Sequence, residues 1–109
     1  MASGLLGQTS PAAQVYTLAY TVPANNFTAL SIAAVNRGTS QATVRIAISS
    51  VTPPTSPNNQ EFIEFDSIIG SNGVLERTGL LASATNKIVV YASTANISFT
   101  VMGIETSLT

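Results

Sequence analysis

The sequence predicts an all-β fold: an antiparallel β-sandwich or jelly-roll-like barrel of about seven strands, preceded by an extended N-terminal arm. Three observations carry this expectation. Short runs rich in β-branched residues recur about every ten residues, turn residues separate them, and no run shows the 3.6-residue period of an amphipathic helix.

Residues 1–13 (MASGLLGQTSPAA) are small, uncharged and aperiodic, and Pro11 biases Ser10 away from helix. They read as the arm, and residues 14–109 as the sandwich domain. From residue 16 the period becomes two. Tyr16, Leu18, Tyr20 and Val22 share one face of a strand that Pro23 ends, and Ala24-Asn25-Asn26 turns the chain. Residues 27–35 place Leu30, Ile32 and Ala34 on one face, and residues 42–51 do the same with Val44, Ile46 and Ile48. Residues 36–40 between them read as a hairpin loop.

The Pro-rich stretch 52–59 (TPPTSPNN) lacks ladder donors and reads as a surface loop crossing from one sheet to the other. Residues 60–69 follow, then the Gly70-Ser71-Asn72-Gly73 turn. Residues 74–81 put Glu76 in phase with Val74, Thr78 and Leu80, a mixture that suits an edge strand or an interface. Residues 87–93 and 96–104 complete the set, with Ile97, Phe99 and Val101 in one phase. The expected core is Leu18, Leu30, Ile32, Val44, Ile46, Ile88, Val90, Ile97, Phe99 and Val101 with Ile48.

Composition narrows function. Of 109 residues, 45% are apolar and 8% charged, against about 25% charged in ordinary domains. Disorder is excluded by this hydrophobicity and a net charge of -1. Arg37, Arg45, Arg77 and Lys87 are too few for a phosphate-binding patch or a polybasic membrane anchor, so neither nucleic acid nor membrane is an expected partner. With no Cys and no His, thiolate sites and the commonest general base are missing. A polar, charge-poor surface suits a chain covered by neighbours in an assembly. No signal peptide or membrane span is evident, which leads to the expectation of a cytoplasm-like compartment and makes Asn26-Phe27-Thr28 and Asn96-Ile97-Ser98 chance sequons.

No residue set reads as catalytic, cofactor-binding or metal-binding. Glu61, Glu64 and Asp66 form the carboxylate cluster, with Glu64 and Asp66 expected on one face and Glu61 on the other. They lack calcium-loop spacing, and there is no Trp for a sugar cleft, so a solvated or interface-facing strand is the plainer reading. A serine nucleophile would have only Lys87 as base, without a supporting motif. The aromatics Tyr16, Tyr20, Phe62 and Tyr91 read as packing rather than a ligand platform. The candidate partner-binding residues are Leu5, Leu6 and Gln8 of the arm, with Arg37 and Arg77 as candidates for ion pairs across a subunit contact. An ordinary exposed side chain is the simpler account of Arg37.

The succession Met1-Ala2-Ser3, Gly7-Gln8, Tyr20-Thr21-Val22-Pro23-Ala24, Asn36-Arg37, Ala42-Thr43-Val44-Arg45-Ile46-Ala47-Ile48, Glu64-Phe65-Asp66, Thr78-Gly79-Leu80 and Val90-Tyr91-Ala92-Ser93-Thr94-Ala95-Asn96-Ile97-Ser98-Phe99 resembles small all-β virion structural proteins of tailed bacteriophages, including cyanophages. These are strand and turn phrases spanning nearly the whole chain. The resemblance implies a virion component without enzymatic activity, assembled in the host cytoplasm. Without heptads or glycine-rich repeats, a receptor-binding fibre is disfavoured, and a compact module with an arm suits a head decoration (cement) protein that binds the major capsid protein as a homotrimer. The alternative is a tail, neck, baseplate or fibre-associated protein, and a carbohydrate-binding module is the remote third.

Overall fold

In the computed structural model, which describes residues 3–108, the regular structure is almost entirely β-strand. Eight strands form: β1 (Ser3–Thr9), β2 (Thr17–Thr21), β3 (Asn26–Asn36), β4 (Ala42–Ser49), β5 (Phe62–Ile69), β6 (Val74–Ala82), β7 (Lys87–Ala92) and β8 (Ile97–Ser107), with one 3₁₀ turn at Asn59–Glu61. Two antiparallel four-stranded sheets result, β1-β8-β3-β6 (sheet A) and β2-β7-β4-β5 (sheet B). Strand β1 pairs with β8, β2 with β7, β3 with β6 and β4 with β5. This nested pairing, with successive pairs alternating between sheets, is the jelly-roll form of the sandwich.

Three expectations about connectivity change. The arm is not free: Ser3–Thr9 is the eighth strand, hydrogen-bonded to β8 at the edge of sheet A. Without it the unpaired groups of β8 would be exposed. The loop at residues 37–41 is not a hairpin, because β3 and β4 lie in different sheets. Conversely, the Pro-rich loop does not cross, because β4 and β5 are neighbours in sheet B. Loop composition records where the chain turns, not which sheet it enters next.

The core lies between the sheets. Leu30, Ile32, Val44, Ile46, Ile88, Val90, Ile97, Phe99 and Val101 are buried as their strand phase predicts, and Ile48 is half-buried against them. Leu18 points outward instead, 41% exposed. Its partner is Val89, whereas Tyr20 pairs with Ile88, so Ala19 is an extra residue that breaks the alternation and turns Tyr20 inward without Leu18. A second bulge acts in β6. Leu30 faces Leu80 but Ile32 faces Arg77, and Gly79 supplies the positive φ of 71° at the extra position, so Leu80 shares the inner face with Leu75 and Arg77 rather than the outer face with Glu76. Strand β6 is an edge strand, which accommodates its charges.

Polar ties link the sheets within this interior. The Tyr20 hydroxyl on β2 donates to Glu105 Oε2 on β8 (2.6 Å) and lies 2.8 Å from Thr28 Oγ1 on β3. Burial, reinforced by Glu105, pushes the Tyr20 pKa up to about 12, so the phenol keeps its proton. Buried Asn36 donates to the carbonyls of Ser40 (2.9 Å) and Ile69 (3.1 Å) and accepts from Gly38 N (2.9 Å), holding the β3–β4 crossing against the end of β5.

Phe99→Ala should cost about 3–5 kcal/mol and Ile46→Ala about 2–5 kcal/mol in urea-unfolding free energy, whereas Leu18→Ala should cost well under about 1 kcal/mol. Deleting the residues through Gln8 removes a paired strand, so the same measurement should show marked destabilisation, and an unchanged midpoint would return the segment to the status of a free arm.

Candidate functional site

Two outer sheet faces are the candidate binding surfaces, and they differ in chemistry. On sheet B, Arg45 on β4 is held by Asp66 through Nε (2.7 Å) and Nη2 (3.3 Å), and its Nη1 donates to the Tyr16 hydroxyl (2.8 Å). Its guanidinium lies 4.2 Å from the Phe65 ring centre and 4.6 Å from that of Tyr91. Tyr16 stacks near Tyr91 at 4.7 Å, and Phe62 meets Phe65 edge-on at 5.0 Å. The hydrogen bond to Asp66 is the main cause of a raised Arg45 pKa, so the guanidinium stays charged. All three guanidinium nitrogens have partners. This cluster caps Ala47 and Val89, which are buried although they lie outside the main core, and it locks the β5 backbone, where Asp66 has a φ of 53°.

That lock explains the fate of the carboxylates. Strand β5 carries two register shifts against β4, between Val44/Ile46 and Ile46/Ala47. The first separates Glu64, which turns inward opposite Ile46, from Asp66, which stays outside with Arg45, so the two do not share a face as alternation predicts. Glu64 accepts from the Ser67 hydroxyl and from Arg77 Nη1, which also donates to the Ile63 carbonyl (2.8 Å). Glu61 accepts from the Ser49 hydroxyl (2.7 Å) and from the backbone of Asn58 (2.9 Å) and Ser50 (3.2 Å), closing the Pro-rich loop. Among the described residues no group of three or more acidic side chains is placed to hold a metal ion.

Sheet A presents a different face. Register places Leu5 beside Met102 and Ser31, and Leu81 beside Ala29 and Ile104, all pointing outward. Leu5, Leu81, Met102 and Ile104 are 58%, 69%, 38% and 56% exposed. A shallow groove of about 430 Å³ runs past Ala29, Ser31, Gly79, Leu81 and Ile104. Among the described residues Glu76, at the β6 edge, is the one charged side chain on this face. A solvent-facing antiparallel sheet normally alternates to polar residues on its outside.

Of the sequence candidates, Leu5 and Gln8 lie on this face, Gln8 opposite Thr100. Leu6 turns inward against the core. Arg37 donates to Ser10 Oγ (2.8 Å) and the Ala95 carbonyl (3.2 Å), tying the end of β1 to the β7–β8 turn. Arg77 is engaged within the chain, bridging the β6 edge of sheet A to the β5 edge of sheet B through Glu64. Sequence reasoning missed Ile104, Met102 and Leu81. Ile104 and Met102 fall in the phase opposite Phe99 and were legible as outward apolar residues, whereas the Gly79 bulge hides the phase of Leu81. No family model, curated protein or solved structure matches the chain.

The Ser67 hydroxyl foremost, and Arg77 after it, hold the Glu64 carboxyl below its ordinary 4.5 against the opposing effect of burial. Its charged form therefore stabilises the fold above that pH, and the contribution is lost as pH falls through the depressed value. Urea-unfolding midpoints measured from pH 7 to pH 3 should fall in acid, and Glu64→Gln should lower the midpoint at pH 7 while flattening the acid slope. Equal slopes in the two proteins would remove Glu64 from the acid response.

Proposed function

We propose that this chain is a non-enzymatic structural protein of a virion, a capsid decoration protein that binds the major capsid protein and stabilises the head. The observation that carries the reading is a small jelly roll whose sheet A leaves an apolar, nearly uncharged face outward. Jelly rolls serve viral capsids, lectins and cupins alike, so the fold alone does not choose among them. The surface supports the choice. A lectin or a cupin needs a polar or metal-binding pocket, whereas the guanidinium on sheet B is already engaged by Asp66 and Tyr16. A contiguous exposed apolar patch is the mark of a protein-contact surface. The low charge of the whole chain agrees with life in a permanent assembly, where solubility as a free monomer is not required.

Quantitative mass spectrometry of purified particles tests the proposal. The expected result is a copy number comparable with that of the major capsid protein, and loss of the chain should lower the temperature at which heads release their genome. A copy number far below that of the capsid protein would instead indicate a tail, neck or baseplate component, and absence from particles would overturn the virion reading.

A further inference from the structure

We infer that the outer face of sheet A is a self-association surface whose occupant is the same face of a second copy of this chain, giving a two-fold symmetric dimer. The inference builds on the reading of that face as a protein-contact surface, and adds what covers it. Strands β1, β8, β3 and β6 are 7, 11, 11 and 9 residues long, so at about 3.3 Å per residue and about 4.8 Å per strand the face offers roughly 600 Å². That lies at the lower end of the roughly 600–1,000 Å² per partner of a standard protein interface.

Charge and relief favour a second copy. Two identical surfaces normally repel when charged, but here the sole charge, Glu76 among the described residues, sits at the β6 edge beside Ala33 and away from the Leu5, Met102 and Ile104 region. The face also carries both halves of its own complement. Leu81 and Ile104 stand out as ridges, and the groove past Ala29 and Gly79 lies between them. In an isologous contact the same patch serves both copies, so these ridges can enter the partner's groove, and face-to-face sheets pack about 10 Å apart through such interdigitation. Two faces meeting about a two-fold axis close on themselves, so this contact makes a dimer rather than the trimer that composition alone suggests. With sheet A paired to a second copy, the contact with the capsid falls to the loops and the sheet B face, where Phe65 and Ile68 are 56% and 63% exposed, and a dimeric block presents them twice.

Sedimentation equilibrium of the 109-residue chain from 5 to 200 µM (about the range over which such interfaces act) tests the inference. A dimer is expected, and Leu81→Glu on the edge strand and Ile104→Glu on a central strand should each weaken it by at least about tenfold. Leu18→Glu, on sheet B, should leave the dimer intact. Circular dichroism melts accompany each variant, and the two face variants lie on different strands so that misfolding of one leaves the other to be read. A monomeric or trimeric wild type, or a dimer that persists in both folded face variants, would overturn the inference. Because the measurement needs no particles, its failure is separate from failure of the virion proposal.

Discussion

Burial of one face of each sheet against the other is the interaction on which the rest of this structure depends. With nine formal charges in 109 residues and no cysteine, the apolar contacts of Leu30, Ile32, Val44, Ile46, Ile88, Phe99 and their neighbours are the main force available to close the sandwich. The nested pairing of β1 with β8, β2 with β7, β3 with β6 and β4 with β5 follows as a solution in which every strand finds an antiparallel neighbour while its apolar face looks inward.

The sandwich has two open sides, and polar chemistry is concentrated there and where strands bend. Arg77 reaches from the edge of sheet A to Glu64 and the Ile63 carbonyl at the edge of sheet B, so a charged pair ties the two edges on that side. Tyr20, Thr28 and Glu105 make a second cross-sheet tie. Each lies at a place where a bulge or an edge has interrupted simple alternation. The bulge aims the polar group, and the tie satisfies it, as buried polar atoms require.

The same division explains the two outer faces. Sheet B is partly covered: Arg45, Asp66 and four aromatic rings form a small outer cluster over Ala47 and Val89, while Phe65 and Ile68 stay 56% and 63% exposed. Sheet A has no such cover, and Leu5, Leu81 and Ile104 stand in the open. An apolar face that the chain does not cover is a surface suited to contact with another protein.

The sequence by itself determined the all-β class and most of the core, because a side-chain period of two needs only local information and runs such as 42–48 and 97–101 keep it without interruption. It also determined that the surface would be poor in charge. Only the tertiary structure decided what depends on pairing between distant segments. The aperiodic residues 3–9 became a strand because β8 had an edge to fill, and Asn36 to Ser40 became a crossing because β4 found β5 and β7 instead of β3. Leu18 and Leu81 took the outer faces because one extra residue in β2 and one in β6 shifted the phase, and a bulge is visible only against the partner strand that reveals it.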